Sequence, residues 1–334
     1  MNVLSLFDGI SCGRVALEKA GIIVDKYYAS EIDQYAIRIS SKNYPDIEQI
    51  GDVTNIKGNK YKGIDLLIGG SPCQGFSFAG KQLNFIDPRS SLFFEYVRVL
   101  EEVNPKFFLL ENVKMKQEYQ DIITRYLGVK PIEINSALVS AQNRKRLYWT
   151  NIPNIPQPSD KKIYLKDIVL SDVELVALHN LYGGFNEESV RVFEDKSPTL
   201  RTAAGGGHIP SFVKKDLLLN PKAIEYMNRQ VKDGRTHWDF KHYSDIRNDK
   251  SAAVVANFFK GVPYNVFKDW DCIRKFHPVE CERLQTLPDN YTEGISNTQR
   301  YKCIGNGWTV DVIAHIFKEC KYQVNENRSV IWHN

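Results

Sequence analysis

From Val3 to Asn112 the chain alternates short apolar runs with amphipathic stretches. VLSLF (3–7), KYYASE (26–31), DLLIGG (65–70) and KFFLLEN (106–112) have the length and apolar content of buried strands. Between them, Cys12 to Ala20, Gln34 to Lys42 and Leu92 to Glu102 carry apolar positions at helical spacing. This rhythm predicts βαβ units, hence a parallel sheet covered by helices on both faces. Asp8, Glu31, Asp52, Cys73 and Glu111 fall just after strands, so they are expected along one edge of the sheet. That edge is where open α/β folds place their ligands.

The pattern changes at NIPNIPQPSD (151–160), whose three prolines suggest a boundary. Beyond it lie LYGGFNEES (181–189), TAAGGGHIP (202–210) and KDGRTHWDFKHYSDIRNDK (232–250). Mixed Lys, Arg, Trp, Tyr and Phe suit a surface that contacts phosphates and stacks on bases, and equally suit a solvated β-rich domain with an aromatic core. Regular helical spacing returns at VDVIAHIFKEC (310–320).

With 334 residues, 43% of them hydrophobic and 25% charged, the chain has the size and composition of one large or two modest globular domains. A formal net charge of +4 permits a polyanionic partner without requiring one. Cys12, Cys73, Cys272, Cys281, Cys303 and Cys320 form no CxxC pair and no repeating spacing, so neither a metal site nor a disulfide framework is expected. The start MNVLSLFDG carries no charged leader and no apolar run reaches bilayer length, so a reducing cytoplasmic setting without membrane contact is expected.

LSLFDGISCGRVALEKAG (4–21) reads as strand, tight turn and helix. Gly9 and Gly13 are four apart and do not make the GxGxxG fingerprint of dinucleotide binding, which favours a ligand without phosphates. Glu31 can accept hydrogen bonds from both ribose hydroxyls of an adenosine. Asp52 can face the adenine amino group, and Phe7 offers an apolar wall. Such a pocket suits S-adenosylmethionine.

IGGSPCQGFSFAGKQ (68–82) holds the most informative cysteine. An unpaired cysteine is usually a small buried hydrophobe, but Cys73 sits where a strand meets a loop, and the thiolate is the nucleophilic form. Carbon 5 of a pyrimidine is too poor a nucleophile to take a methyl group from a sulfonium. Thiolate attack at carbon 6 makes the ring an enamine, and carbon 5 then reacts. That step needs an acid near ring nitrogen 3. Glu111 in LLENV (109–113) is a candidate, on the expectation that burial keeps it protonated; a helix N-terminal carboxylate is the other reading. In SAQNRKRLYW (140–149), Arg144 and Arg146 are two apart and expected on one face of a strand, either holding the base carbonyl and phosphates or making surface salt bridges.

FDGISCG (7–13), Glu31, Asp52, GGSPCQGFSFAGKQ (69–82), ENV (111–113), QNRKR (142–146), SPTLRTAAGGG (197–207), ECERLQTLP (280–288) and YKCIGNGWTV (301–310) together resemble the cytosine-5 DNA methyltransferases, in content and in order. The resemblance implies a Rossmann-like α/β methyltransferase sheet formed by 1–155 and 284–334, with a smaller β-rich target-recognition domain, 156–283, inserted between them. It implies methyl transfer from S-adenosylmethionine to carbon 5 of cytosine in double-stranded DNA, by a monomer encoded by a bacterium or phage. Catalysis would fall to Cys73, Glu111, Arg144 and Arg146. Cofactor contacts would come from Phe7, Asp8, Gly9, Ile10, Gly13, Glu31, Ile32, Asp52, Val53, Gly70, Pro72, Asn306 and Trp308. DNA contacts would come from Gln74, Ser77, Gly183, Phe185, Thr199 and Arg201, with the target base flipped out of the duplex. FDGISCG is closer to the animal de novo enzymes than to the bacterial FxGxG form, and Trp308 stands where bacterial members usually carry serine followed by valine. One branch of this family methylates tRNA by the same chemistry; the sizeable segment 211–272 favours DNA.

Overall fold

The computed structural model describes residues 1–71, 91–168 and 170, seven short strands between 175 and 275, and residues 276–329. The chain opens with β1 (Asn2–Leu6), α1 (Cys12–Lys19), β2 (Lys26–Ser30), α2 (Gln34–Asn43), β3 (Glu48–Gln49) and β4 (Leu66–Gly69). It continues with α3 (Ser91–Val103), β5 (Phe107–Val113), α4 (Gln117–Leu127), β6 (Ile132–Asn135), β7 (Gln142–Asn143) and β8 (Lys145–Thr150). Seven strands form one sheet in the order β3-β2-β1-β4-β5-β8-β6. The first five are parallel, and β8 runs antiparallel to both β5 and β6. The strands, helices and parallel pairing expected through Asn112 are those observed. Because the chain leaves β1 toward β2 and returns on its other side as β4, the order reverses between β1 and β4 and a crevice opens at their carboxyl ends.

Alternating side chains assign the sheet to two cores. Val3, Leu66, Ile68, Phe107 and Leu109 pack with Val15 and Ala16 of α1 and Ile39 of α2. Their sequence neighbours Leu4, Leu67, Phe108 and Leu110 face the other way, onto Phe93 and Tyr96 of α3 and Tyr119 and Ile123 of α4. Local signals bound the helices. Asp33 caps α2 by accepting from the Tyr35 and Ala36 N–H groups, and α4 stops at Gly128, whose φ of 71° suits glycine.

Between the two long stretches, β9 (Leu175–His179), β10 (Arg191–Phe193) and β11 (Ser211–Lys214) form one three-stranded sheet. β12 (Tyr243–Asp245), β14 (Val266–Asp269) and β15 (Cys272–Lys275) form another, and β13 (Ser251–Ala252) pairs with β7. The chain then folds into α5 (Pro278–Leu284), α6 (Asn297–Asn306) and α7 (Val310–Ser329). Val310, Val312, Ile313, Ile316, Phe317 and Cys320 join the core that holds α1, so the C-terminal helix packs back on the N-terminal sheet.

A buried ion pair ties α5 to α6. Arg300 Nη2 lies 2.9 Å from Glu282 Oε1, whose side chain is fully buried, and the Thr292 N–H and hydroxyl donate to the same oxygen. Removing one partner strands a buried charge. Arg300→Met should therefore lower stability by about 3–5 kcal/mol in denaturant unfolding; a loss under about 1 kcal/mol would contradict this packing.

Candidate active site

Strand register brings the site together. Leu6 pairs with Ser30 on one side and Gly69 on the other, and Gly69 pairs with Leu110. One residue further along each strand come Phe7, Glu31, Gly70 and Glu111, all at one level of the sheet edge.

Glu111 projects toward the side of the sheet that carries α1 and α7. Arg146 Nε lies 3.1 Å from its Oε1, and the Trp308 indole Nε1–H donates to its Oε2 at 3.2 Å. Arg146 pairs with Val113 and Glu111 with Tyr148, so the ion pair is a diagonal contact between antiparallel strands. The Glu111 carboxyl is buried, and an arginine and an indole N–H each take one of its oxygens.

The arginines also depart from expectation. They do not share a strand, because the chain breaks at Arg144: Gln142–Asn143 leaves to pair with Ser251–Ala252, whereas Lys145–Thr150 stays in the main sheet. The Arg144 guanidinium is buried and Nη2 donates to the carbonyls of Gly305 and Gly307 at 3.3 and 3.0 Å. Burial and the neighbouring Arg146 lower its pKa to about 10, so it stays charged at neutral pH. Arg144 thereby clamps the link between α6 and α7 beside Glu111. Asn112 turns to the opposite face, where its Nδ2 lies 3.4 Å from the carbonyl of Ser71, the residue that leads into Pro72 and Cys73.

At the β1–β2 end, Glu31 Oε2 accepts from the Gly9 N–H at 2.7 Å and Oε1 from the Ile32 and Asp33 N–H groups at 2.8 and 2.9 Å. Gly9 has φ 61° and open space where a side chain would begin. Ile32 is 67% exposed next to this carboxylate, an apolar surface beside a fixed acid. Asp52 caps a short turn, its Oδ1 accepting from the Thr54 N–H and hydroxyl at 2.9 Å. Phe7 has φ 57° and packs partly on the second core. Asn306 ends α6 exposed, while Lys302 Nζ reaches Asp33 Oδ2 at 2.7 Å.

Four other expected cofactor residues turn into the protein. Ile10 and Val53 are buried core side chains. A Cβ at Gly13 would lie 2.4 Å from Ile68 Cδ1, so this glycine lets α1 approach the sheet. Asp8 Oδ1 accepts from the Tyr27 hydroxyl at 2.7 Å and Oδ2 from that of Ser11 at 2.5 Å. Burial pushes its carboxyl up to about 6, against the opposing hydrogen bonds. Pro72, Cys73, Gln74, Ser77, Gly183, Phe185, Thr199 and Arg201 lie outside the described residues.

Burial raises the thiol pKa of Cys12, Cys303 and Cys320 to about 12, and raises that of Cys281 well above the ordinary thiol value. None of these four is a thiolate at neutral pH.

The model of C-5 cytosine-specific DNA methylases matches residues 1–126 and 137–322. The chain belongs to this family. The methylase is 29% identical to the type II methyltransferase M1.ScrFI of Lactococcus lactis subsp. cremoris, over 97% of its own length and 79% of the relative's. It is 25% identical to the type II methyltransferase M.HhaI of Haemophilus parahaemolyticus, over 95% and 93% of the two chains. Among solved structures, the Entamoeba histolytica methyltransferase EhMeth superposes with a TM-score of 0.68 at 17% identity, covering 97% of this chain and 98% of that one. That likeness bears on the fold, the Rossmann-like methyltransferase sheet described above. The family is one of S-adenosylmethionine-dependent DNA cytosine methyltransferases, and the methylase is such an enzyme.

Several site features of the methylase have no local signature. The Trp308–Glu111 bond joins residues 197 apart, and Lys302–Asp33 joins residues 269 apart. Tyr27 beneath Asp8 was foreshadowed only by the strand period of KYYAS, which turns every second side chain inward.

The Asp8 carboxyl ionises near 3.8 when the chain is unfolded and near 6 when folded, so the folded methylase binds this proton more tightly. Its contribution to stability is complete below the lower value and is lost as pH rises through the upper one. The stability of Asp8→Asn relative to the native protein should therefore rise between about pH 4 and 7, by up to about 3 kcal/mol, and level off above. Denaturant titrations across pH measure this, and a pH-independent difference would contradict it.

Proposed function

We propose that the methylase transfers the methyl group of S-adenosylmethionine to carbon 5 of cytosine in a specific duplex DNA sequence, through a covalent bond between Cys73 and carbon 6. The observation that carries this reading is the meeting of Gly70 and Glu111: a Cβ on Gly70 would lie 3.2 Å from Glu111 Oε2. Cys73 follows Gly70 by three positions, about 10 Å of fully extended chain. With four cysteines held as buried thiols, Cys73 and Cys272 remain, and the family motif favours Cys73 as the nucleophile.

The residues at the β1–β2 end suit S-adenosylmethionine. The Glu31 carboxylate is fixed by three backbone N–H groups, with lone pairs remaining for ribose hydroxyls. Exposed Ile32 and partly buried Phe7 offer apolar contact to an adenine ring, and Asp52 lies after the next strand for its amino group. The turn at Gly9 has open space and no glycine pattern for a pyrophosphate. When bound, this cofactor supplies an electrophilic methyl group. Gly70, Pro72, Asn306 and Trp308 are its remaining proposed contacts.

The target cytosine leaves the stack, because carbon 6 is shielded within the duplex. The Cys73 thiolate bonds to carbon 6 while Glu111, protonated, donates to ring nitrogen 3. Carbon 5 then takes the methyl group, releasing S-adenosylhomocysteine, and gives up its proton to solvent; elimination breaks the sulfur–carbon bond and returns the ring-nitrogen proton to Glu111, restoring the thiolate and the aromatic ring. Arg146 orients Glu111 and lies nearest the base, and Arg144 holds the wall formed by Gly305 and Gly307. Residues 156–283 act as the target-recognition domain, with Gly183, Phe185, Thr199 and Arg201 facing DNA and Gln74 and Ser77 closing on the flipped base. The protein acts as a monomer without a metal ion.

Labelled S-adenosylmethionine offered with duplex DNA or with tRNA tests the substrate. Label should enter duplex DNA, and Cys73→Ser should abolish transfer while retaining DNA binding. Transfer to tRNA alone would overturn the DNA assignment, and turnover by Cys73→Ser would remove the nucleophile.

A further inference from the structure

We propose that Trp308 is a positioning residue for Glu111, its indole N–H fixing the carboxyl in the orientation from which it meets the target base. This rests on the reading of Glu111 as the ring-nitrogen acid. The indole donates to Oε2 at 3.2 Å while Arg146 holds Oε1 at 3.1 Å, so each carboxylate oxygen has its own donor and the carboxyl plane is set. Arginine alone, on one oxygen, leaves rotation about the terminal torsion, which is broad for glutamate.

The surroundings are built to keep the indole there. Gly70 is the residue that makes room: a Cβ on it would stand 3.1 Å from Trp308 Nε1 and 3.2 Å from Glu111 Oε2. At the far end of the ring, Cζ3 lies 3.5 Å from where a Gly13 side chain would start, so the indole spans from the first turn of α1 to β5. Its backbone is anchored as well, because the preceding carbonyl of Gly307 accepts from Arg144 and from Gln285 Nε2 at 3.2 Å. The half-buried indole N–H finds an acceptor, as such groups usually do. Here the acceptor is the acid at the sheet edge, so a wall of the cofactor pocket and the proton donor of the reaction share one contact.

Among the described residues, the charged or titratable groups facing Glu111 are Arg146 on β8, Tyr148 directly opposite it on β8, and Arg144 just before β8. The link between α6 and α7 contributes Trp308, which carries no charge. Loss of the indole N–H leaves the charges unchanged and removes the donor on Oε2. Orientation then loosens, which slows transfer.

The test replaces Trp308 with 3-benzothienylalanine, which keeps the bicyclic ring and exchanges N–H for sulfur; Trp308→Phe is its encoded counterpart. The kcat and the KM for S-adenosylmethionine are measured on duplex DNA across the neutral pH range, alongside Glu111→Gln. The isostere should lower kcat about tenfold at neutral pH and leave KM within about twofold, with Glu111→Gln inactive. Native kcat in the isostere, with or without a raised KM, would overturn the positioning role. Near-native transfer by Glu111→Gln would instead overturn the reading of Glu111 itself.

Discussion

One line of backbone register, Ser30–Leu6–Gly69–Leu110, governs the arrangement of this protein. Because β1, β2 and β4 end at this level while β5 runs on to Val113, the next residues lie together: Glu31, the turn beginning at Phe7, Gly70 ahead of Pro72 and Cys73, and Glu111 within β5. A slip of one residue in β5 would turn Glu111 to the opposite face, among the side chains of α3 and α4. The register is specified strongly, since Val3, Leu66 and Leu109 fill one core while Leu4, Leu67 and Leu110 fill the other.

The C-terminal segment completes what the sheet edge begins. α7 packs its apolar side chains into the core shared with α1, which brings the α6–α7 link over the crevice. Arg144 then secures that link through two carbonyls, and Trp308 reaches Glu111 from it. Lys19 and Lys161 both contact Asp311, adding exposed ion pairs that are worth little beside the buried contacts. The site is therefore assembled from both ends of the chain, and its acid is held from two sides by residues that are not neighbours in sequence.

The part of this arrangement legible in the sequence is the part built from local periodicity. Strands such as DLLIGG and KFFLLEN and the helices between them followed from apolar spacing, and the strand ends placed Glu31 and Glu111 on one edge. That Arg144 lies outside the strand of Arg146 is not legible, because alternation cannot show that Gln142–Asn143 leaves the main sheet to pair with a strand more than a hundred residues away. Asp8 follows β1 and by spacing falls at the sheet edge, yet Tyr27 and Ser11 draw its carboxylate inward, a tertiary contact with no signature in spacing. The motif resemblance carried the family, whose model matches nearly the whole chain.

The proposed reaction divides labour along the sheet edge: cofactor recognition at Glu31 and Ile32, proton donation at Glu111, and covalent attack at Cys73. Its central claim is a transient bond between that cysteine and carbon 6 of cytosine. Duplex DNA carrying 5-fluorocytosine at the target tests this most directly, because fluorine at carbon 5 blocks the final proton loss. With S-adenosylmethionine present, a denaturation-resistant protein–DNA adduct should accumulate with the native protein and be absent with Cys73→Ser. Active methyl transfer to ordinary DNA without any such adduct would contradict the account.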